Sequence, residues 1–179
     1  MLLRIACLAC AVLLGGCDTM SRAGGAIFGG SSGERPAGPG VEAHISPLGG
    51  SAVTGSVRFV PRGDGVSMLV QINGLPPGRY RVLVHENGNC TSPNGFSAGP
   101  PWSPASSQPP LYDRLPIVMA NSEGTATLTV RLSGVSAEQL SGRSVVVHDT
   151  VSGPYTAQPG VRNARIACGV LGTLRTLLE

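Results

Sequence analysis

From residue 41 onward the chain alternates apolar and polar side chains with a period of two, in the runs VEAHIS, AVTGSVRFV, GVSMLVQI and RYRVLVHE, and later in TATLTVRL, SVVVHD and NARIACGV. Period two sends successive side chains to opposite faces of an extended backbone, so each run predicts a strand with one buried face. Between the first runs stand GG, RGDG and NGLPPG, combinations that turn the chain. Seven or eight short strands without a sustained helical period predict an all-β domain, a Greek-key antiparallel β-barrel or sandwich. Only VSAEQLSG, residues 135–142, reads as a turn of helix. Residues 91–112 break the rhythm with six prolines and no alternation, which predicts a long loop, functional or disordered.

Composition narrows this to one domain. The 179 residues include 26 Gly and 15 Pro and are 41% hydrophobic, which suits a single loop-rich fold. Charged residues make up 13%, lysine is absent, and the arginines form neither runs nor a stripe, so nothing supports nucleic-acid binding. No serine, histidine and acid arrangement and no phosphate loop stands out.

The amino-terminal residues read differently. MLLRIACLACAVLLGGC has Arg4 as a short positive region, an apolar stretch too short to span a bilayer, and small residues before Cys17. Residues 1–16 are read as a signal peptide. Its end, Leu14-Gly15-Gly16-Cys17, resembles the bacterial lipobox, which implies that Cys17 carries a lipid that holds the protein in the cell envelope, facing the periplasm, at the inner or the outer membrane. Residues 17–40 are rich in Gly, Ser, Pro and Ala and read as a flexible tether; the domain is placed at 41–179. Cys7 and Cys10 leave with the signal, so Cys90 and Cys168 remain in the folded part, and an exported compartment permits them to pair. A bridge between them would contribute roughly 4 kcal/mol by loop entropy.

The stretch RVLVHENGNC, residues 81–90, sets a lone histidine, His85, in an apolar run shortly before Cys90. It belongs to the first of three segments, GLPPGRYRVLVHENGNCTSPNGFSAG, SVVVHD and YTAQPGVRNARIACGVL, which together resemble, in order, the bacterial branch of the copper-zinc superoxide dismutases. The resemblance spans residues 41–172. It implies a Greek-key barrel, a Cys90–Cys168 disulfide, His85 and His148 at two copper-ligand positions, and Arg165 where the family guides the superoxide anion toward conversion to oxygen and hydrogen peroxide.

Most of the family's ligands have no counterpart. The outer histidine of the metal strand is replaced by Leu83, and the bridging position falls on Pro101, next to Trp102. His44 lies on the first strand, away from the site. Either Asp113 or Arg114 occupies the region of the zinc aspartate, and one carboxylate does not make a tetrahedral zinc site. Two imidazoles give half of a tetragonal Cu(II) set. Leu, Pro and Trp cannot ligate and are expected to fill the space, so the site reads as packed shut.

Plainer roles stand beside these. His85 and His148 also read as interior histidines bonded to a backbone carbonyl or to each other, Arg165 as a donor to loop carbonyls, and Glu86 as a solvated strand-end acid. Met68 and Met119 are expected in the core, although a thioether near His148 would suit Cu(I). Three functions follow. The favoured one is a lipid-anchored, dismutase-like binding or structural module without metal; the proline-rich loop around Trp102 reads as a partner-binding edge or as a surface cover. The alternatives are a copper-dependent dismutase with a reduced ligand set and a copper carrier; zinc binding is not expected.

Overall fold

The computed structural model describes residues 38–150 and 164–174. The signal segment, Cys17, the tether up to residue 37 and residues 151–163 and 175–179 lie outside the described residues. Among the described residues eight strands are formed: β1 (Val41–Pro47), β2 (Thr54–Arg62), β3 (Gly65–Asn73), β4 (Gly78–His85), β5 (Val118–Ala120), β6 (Ala126–Ser133), β7 (Ser144–Asp149) and β8 (Arg165–Thr173). All pairings are antiparallel, in the order β5-β4-β7-β8-β1-β2-β3-β6.

The outermost strands of that order, β5 and β6, are consecutive in the chain. A tight turn joins them, in which Asn121 Oδ1 accepts from the backbone N–H groups of Glu123 and Thr125. The sheet therefore curls into a nearly closed Greek-key barrel, leaving little free edge.

Alternation fills the interior. Val57 and Phe59 of β2, Val66, Met68, Val70 and Ile72 of β3, Val82 and Val84 of β4, and Val145 and Val147 of β7 are all buried. Burying such side chains is the main favourable contribution to folding, about 1.5–3 kcal/mol each for Val, Ile or Phe. The helical turn expected at 135–142 is α2 (Ala137–Leu140), named here after the earlier α1 (Leu111–Arg114). Ser136 and Gln139 form a capping box at the start of α2.

Two expectations need correction. Met119 is 59% exposed, because β5 is a three-residue strand whose middle side chain points outward, opposite exposed Arg79. Met68 is in the core as expected. Residues 91–112 are not structureless: a 3-10 turn (Phe96–Ala98), an isolated bridge between Pro101 and His85, and the start of α1 order them.

Two features set up the site. The pairing of β7 with β8 shifts between Val147, opposite Ala167, and His148, opposite Arg165. One extra residue of β8, Ile166, is absorbed there as a bulge, which turns Arg165 to the face that His148 occupies. Secondly, Cys90 and Cys168 are bonded, with Cα atoms 5.7 Å apart and a separation of 78 in sequence. This bridge ties the segment after β4 to the outer wall of β8.

Replacing both cysteines by serine is expected to lower unfolding free energy by about 4 kcal/mol, the loop-entropy value for a closed loop of this length. Urea unfolding of the double variant against the parent checks this; an unchanged midpoint would show that the bridge does not constrain the unfolded chain.

Candidate functional site

The candidate residues lie on the outer face of the wall made by β4, β7 and β8. Residues directly opposite in an antiparallel ladder share a face. Arg81, Leu83 and His85 of β4 stand opposite His148, Val146 and Ser144 of β7 respectively, so one face carries all six. His85 and His148 are offset along their strands, and the Leu83–Val146 pair lies between them.

The two imidazoles meet nonetheless. Their Nε2 atoms are 3.0 Å apart, and the rings are nearly parallel, at 15°, with centroids 5.1 Å apart. His85 Nδ1 lies 2.8 Å from the carbonyl oxygen of Gly99. A carbonyl only accepts, so Nδ1 carries the proton, and in neutral His85 the Nε2 lone pair is left to accept from His148 Nε2–H. The tautomers of both rings follow from one carbonyl.

His85 is fully buried. Burial disfavours its charged form and is the main cause of a pKa lowered to about 4; the Gly99 carbonyl works in the opposite direction, and the charge of Arg165 adds to the lowering. His85 is therefore neutral at physiological pH.

Arg165 donates from Nη1 to the Gly95 carbonyl at 2.7 Å, and its guanidinium carbon sits 5.3 Å from the centre of the Phe96 ring. Arg81 donates to the carbonyl of Tyr112. Arg143, between α2 and β7, donates to the carbonyls of Gln139 and Glu86 and lies 4.0 Å from the Trp102 ring centre. The chain beyond β4 is also sewn to itself, by Glu86 N–H to Pro100 and Asn87 N–H to Ala98, and Trp102 N–H donates back to Val84 of β4.

Leu83, Pro101 and Trp102 behave differently from one another. Leu83 is buried as expected. Pro101 is exposed, since its bridge to His85 is made by the backbone and leaves the ring outside. Trp102 is 8% exposed and pairs with Val84, whose side chain belongs to the barrel core, so it packs there beneath Arg143 instead of filling the space beside the histidines. The aromatic ring that this loop offers to solvent is Phe96.

Asp113 is exposed on α1, and Arg114 donates to the Ser133 carbonyl. His44 is exposed on β1. Arg81 and Arg143 were not singled out from sequence. The period-two spacing of Arg81, Leu83 and His85 was the available signal for Arg81.

A profile of the copper/zinc superoxide dismutase family matches residues 53–171. The chain belongs to that family. Its relatives include a copper-zinc superoxide dismutase from Caulobacter vibrioides, 31% identical over 134 residues that cover 65% of this chain and 77% of the relative. One from Haemophilus parainfluenzae is 27% identical, over 76% of this chain and 84% of the relative. An extracellular copper-zinc superoxide dismutase from Drosophila melanogaster is 33% identical over 67% of this chain.

Among the described residues no three His, Cys, Asp or Glu side chains gather where they could hold a metal ion. Residues 151–163 contain none of these residue types. Metal–nitrogen bonds of about 2 Å to two neighbouring tetrahedral positions would set the nitrogens about 3.3 Å apart, close to the 3.0 Å at which these Nε2 atoms bond each other. A metal would have to displace that shared proton with only two ligands in compensation.

A histidine whose pKa falls on folding destabilises the fold in acid. The unfolded chain takes up the proton first, so the His85 contribution is intact above about pH 6.5, declines as the pH drops toward about 4, and changes no further below that. Urea unfolding between pH 7.5 and 4 is expected to show a shallower loss for His85→Gln than for the parent; equal slopes would remove His85 as the cause.

Proposed function

We propose that this superoxide dismutase family member is a lipid-anchored envelope protein that works as a binding or structural module without the standard dismutase activity. The observation that carries this is the His85–His148 hydrogen bond with Leu83 and Pro101 at the neighbouring ligand positions. A copper-dependent dismutase must hold its metal through a change of oxidation state, and two imidazoles give half of the usual Cu(II) set. One donor of each of two basic groups nearby holds the loop: His85 and Arg165 each donate to a glycine carbonyl.

Family membership favours a second reading, a copper-dependent dismutase using His85 and His148 alone, with Arg165 drawing superoxide in. The anchor in both readings is Cys17, through the lipobox resemblance. No helix among the described residues is long and apolar enough to cross a membrane.

The test is to load the purified chain with copper, remove loosely held metal, and measure bound copper and superoxide dismutation together, with His148→Ala alongside. Background activity without retained copper is expected. Near-stoichiometric copper with dismutation that disappears in His148→Ala would establish the enzyme, and retained copper without dismutation would establish a carrier. Placing imidazoles back with Leu83→His and Pro101→His is expected to raise copper affinity by at least about tenfold, read by competition with a chelator; no gain would mean that the loop, not the donor count, bars the metal.

A further inference from the structure

Phe96 is 65% exposed, yet its position is held from both sides. Gly95 before it and Gly99 after the turn have φ of 71° and 76°, left-handed values that favour glycine. The carbonyls of these same two glycines accept from Arg165 and His85. Asn94 Oδ1 accepts from Phe96 N–H at 3.1 Å, and Gly99 N–H donates to the Phe96 carbonyl at 3.0 Å. The Ser97 hydroxyl is tied to Ser92 and to the Asn89 carbonyl, one residue from the Cys90 bridge. A Cβ on Gly95 would fall 2.9 Å from Leu48 Cδ1 and 3.1 Å from Arg165 Cβ, so the turn lies directly on the barrel wall. A single exposed apolar side chain is ordinary; this one is preorganised.

Its charged neighbour has unspent capacity. Among the described residues Arg165 has one side-chain hydrogen bond, to Gly95, and belongs to neither of the ion pairs, Arg58–Glu42 and Arg131–Asp64. Residues 87–112 carry no charged side chain, and residues 151–163 carry no acid. The patch therefore joins an exposed aromatic side chain on a braced turn to a cation that these segments do not neutralise. Rigid aromatic and arginine side chains dominate binding energy at interfaces because little freedom remains to be lost when they dock, and a guanidinium pairs with carboxylate through two parallel N–H bonds.

We propose that Phe96 and Arg165 form a docking anchor for an acidic protein segment, one that lays an apolar side chain on the ring and presents a carboxylate to the guanidinium. This deepens the module reading above and rests on it, since a catalytic Arg165 would have to remain open to superoxide. The residues that resemble catalytic machinery then serve to brace and charge a binding surface.

The probe is the peptide acetyl-Glu-Leu-Phe-Glu-amide, titrated to about 1 mM, the range of a weak single anchor, into the isotopically labelled full chain, with the Gln-for-Glu peptide as control. Amide resonances of residues 94–99 are expected to shift along one saturating curve. The neutral peptide is expected to bind at least about tenfold more weakly, one charge-assisted contact's worth. Phe96→Ser is expected to weaken binding by a similar factor with an unchanged melting temperature, and Arg165→Gln to erase the preference for the acidic peptide. Absence of saturable shifts, equal binding of the two peptides, or shifts that survive Phe96→Ser would overturn the anchor. A dimer that dissociates in Phe96→Ser would reassign the surface to a second copy of the chain. Copper content and dismutation measured on the same samples report separately on the module reading, so activity together with peptide binding would overturn that reading and leave the surface standing.

Discussion

A long uncharged segment laid over a barrel wall must find partners for its backbone carbonyls, and residues 87–112 contain no charged side chain to help. Leaving a buried polar group unpaired costs about 1–3 kcal/mol, so the donors come from the wall beneath and its rim. His85 serves Gly99, Arg165 serves Gly95, Arg81 serves Tyr112, and Arg143 serves Glu86 while covering Trp102. The Cys90–Cys168 bridge fixes one end of the segment to β8. The geometry of the candidate site follows from this requirement, because its most distinctive side chains are the ones that hold the loop.

That requirement gives His85, His148 and Arg165 a role that needs no catalysis. With Nδ1 committed to a carbonyl, His85 offers only its Nε2 lone pair, and His148 occupies it. A neutral, hydrogen-bonded pair suits a buried position, whereas a charged imidazole there would pay for desolvation, which is why the His85 pKa is lowered. In a complete metal centre the same nitrogens would face a cation. Here the two histidines satisfy each other.

The strands were legible because burial on one face imposes a two-residue period, plain in Val66, Met68, Val70 and Ile72. The short strand β5 was not, since three residues carry too little pattern, and Met119 at its centre faces outward. Trp102 and Phe96 show the limit of reading loops by residue type. The larger ring is buried because it pairs with Val84 and packs beneath Arg143, while the smaller is displayed because two glycines and a 3-10 turn project it. No local pattern distinguishes the two.

Residue identities alone determined the barrel class, the family resemblance and the two cysteines available for a bridge, because these depend on periodicity and on which residues are present. The tertiary structure bears out the Cys90–Cys168 pairing that the resemblance implies, and it alone decided the contact between two histidines separated by 63 positions in sequence and the orientation of Arg165. That orientation turns on a single extra residue in β8, and in a two-residue repeat a shift of one sends a side chain to the opposite face. Where the register lies is a property of two strands together, and neither strand carries it by itself.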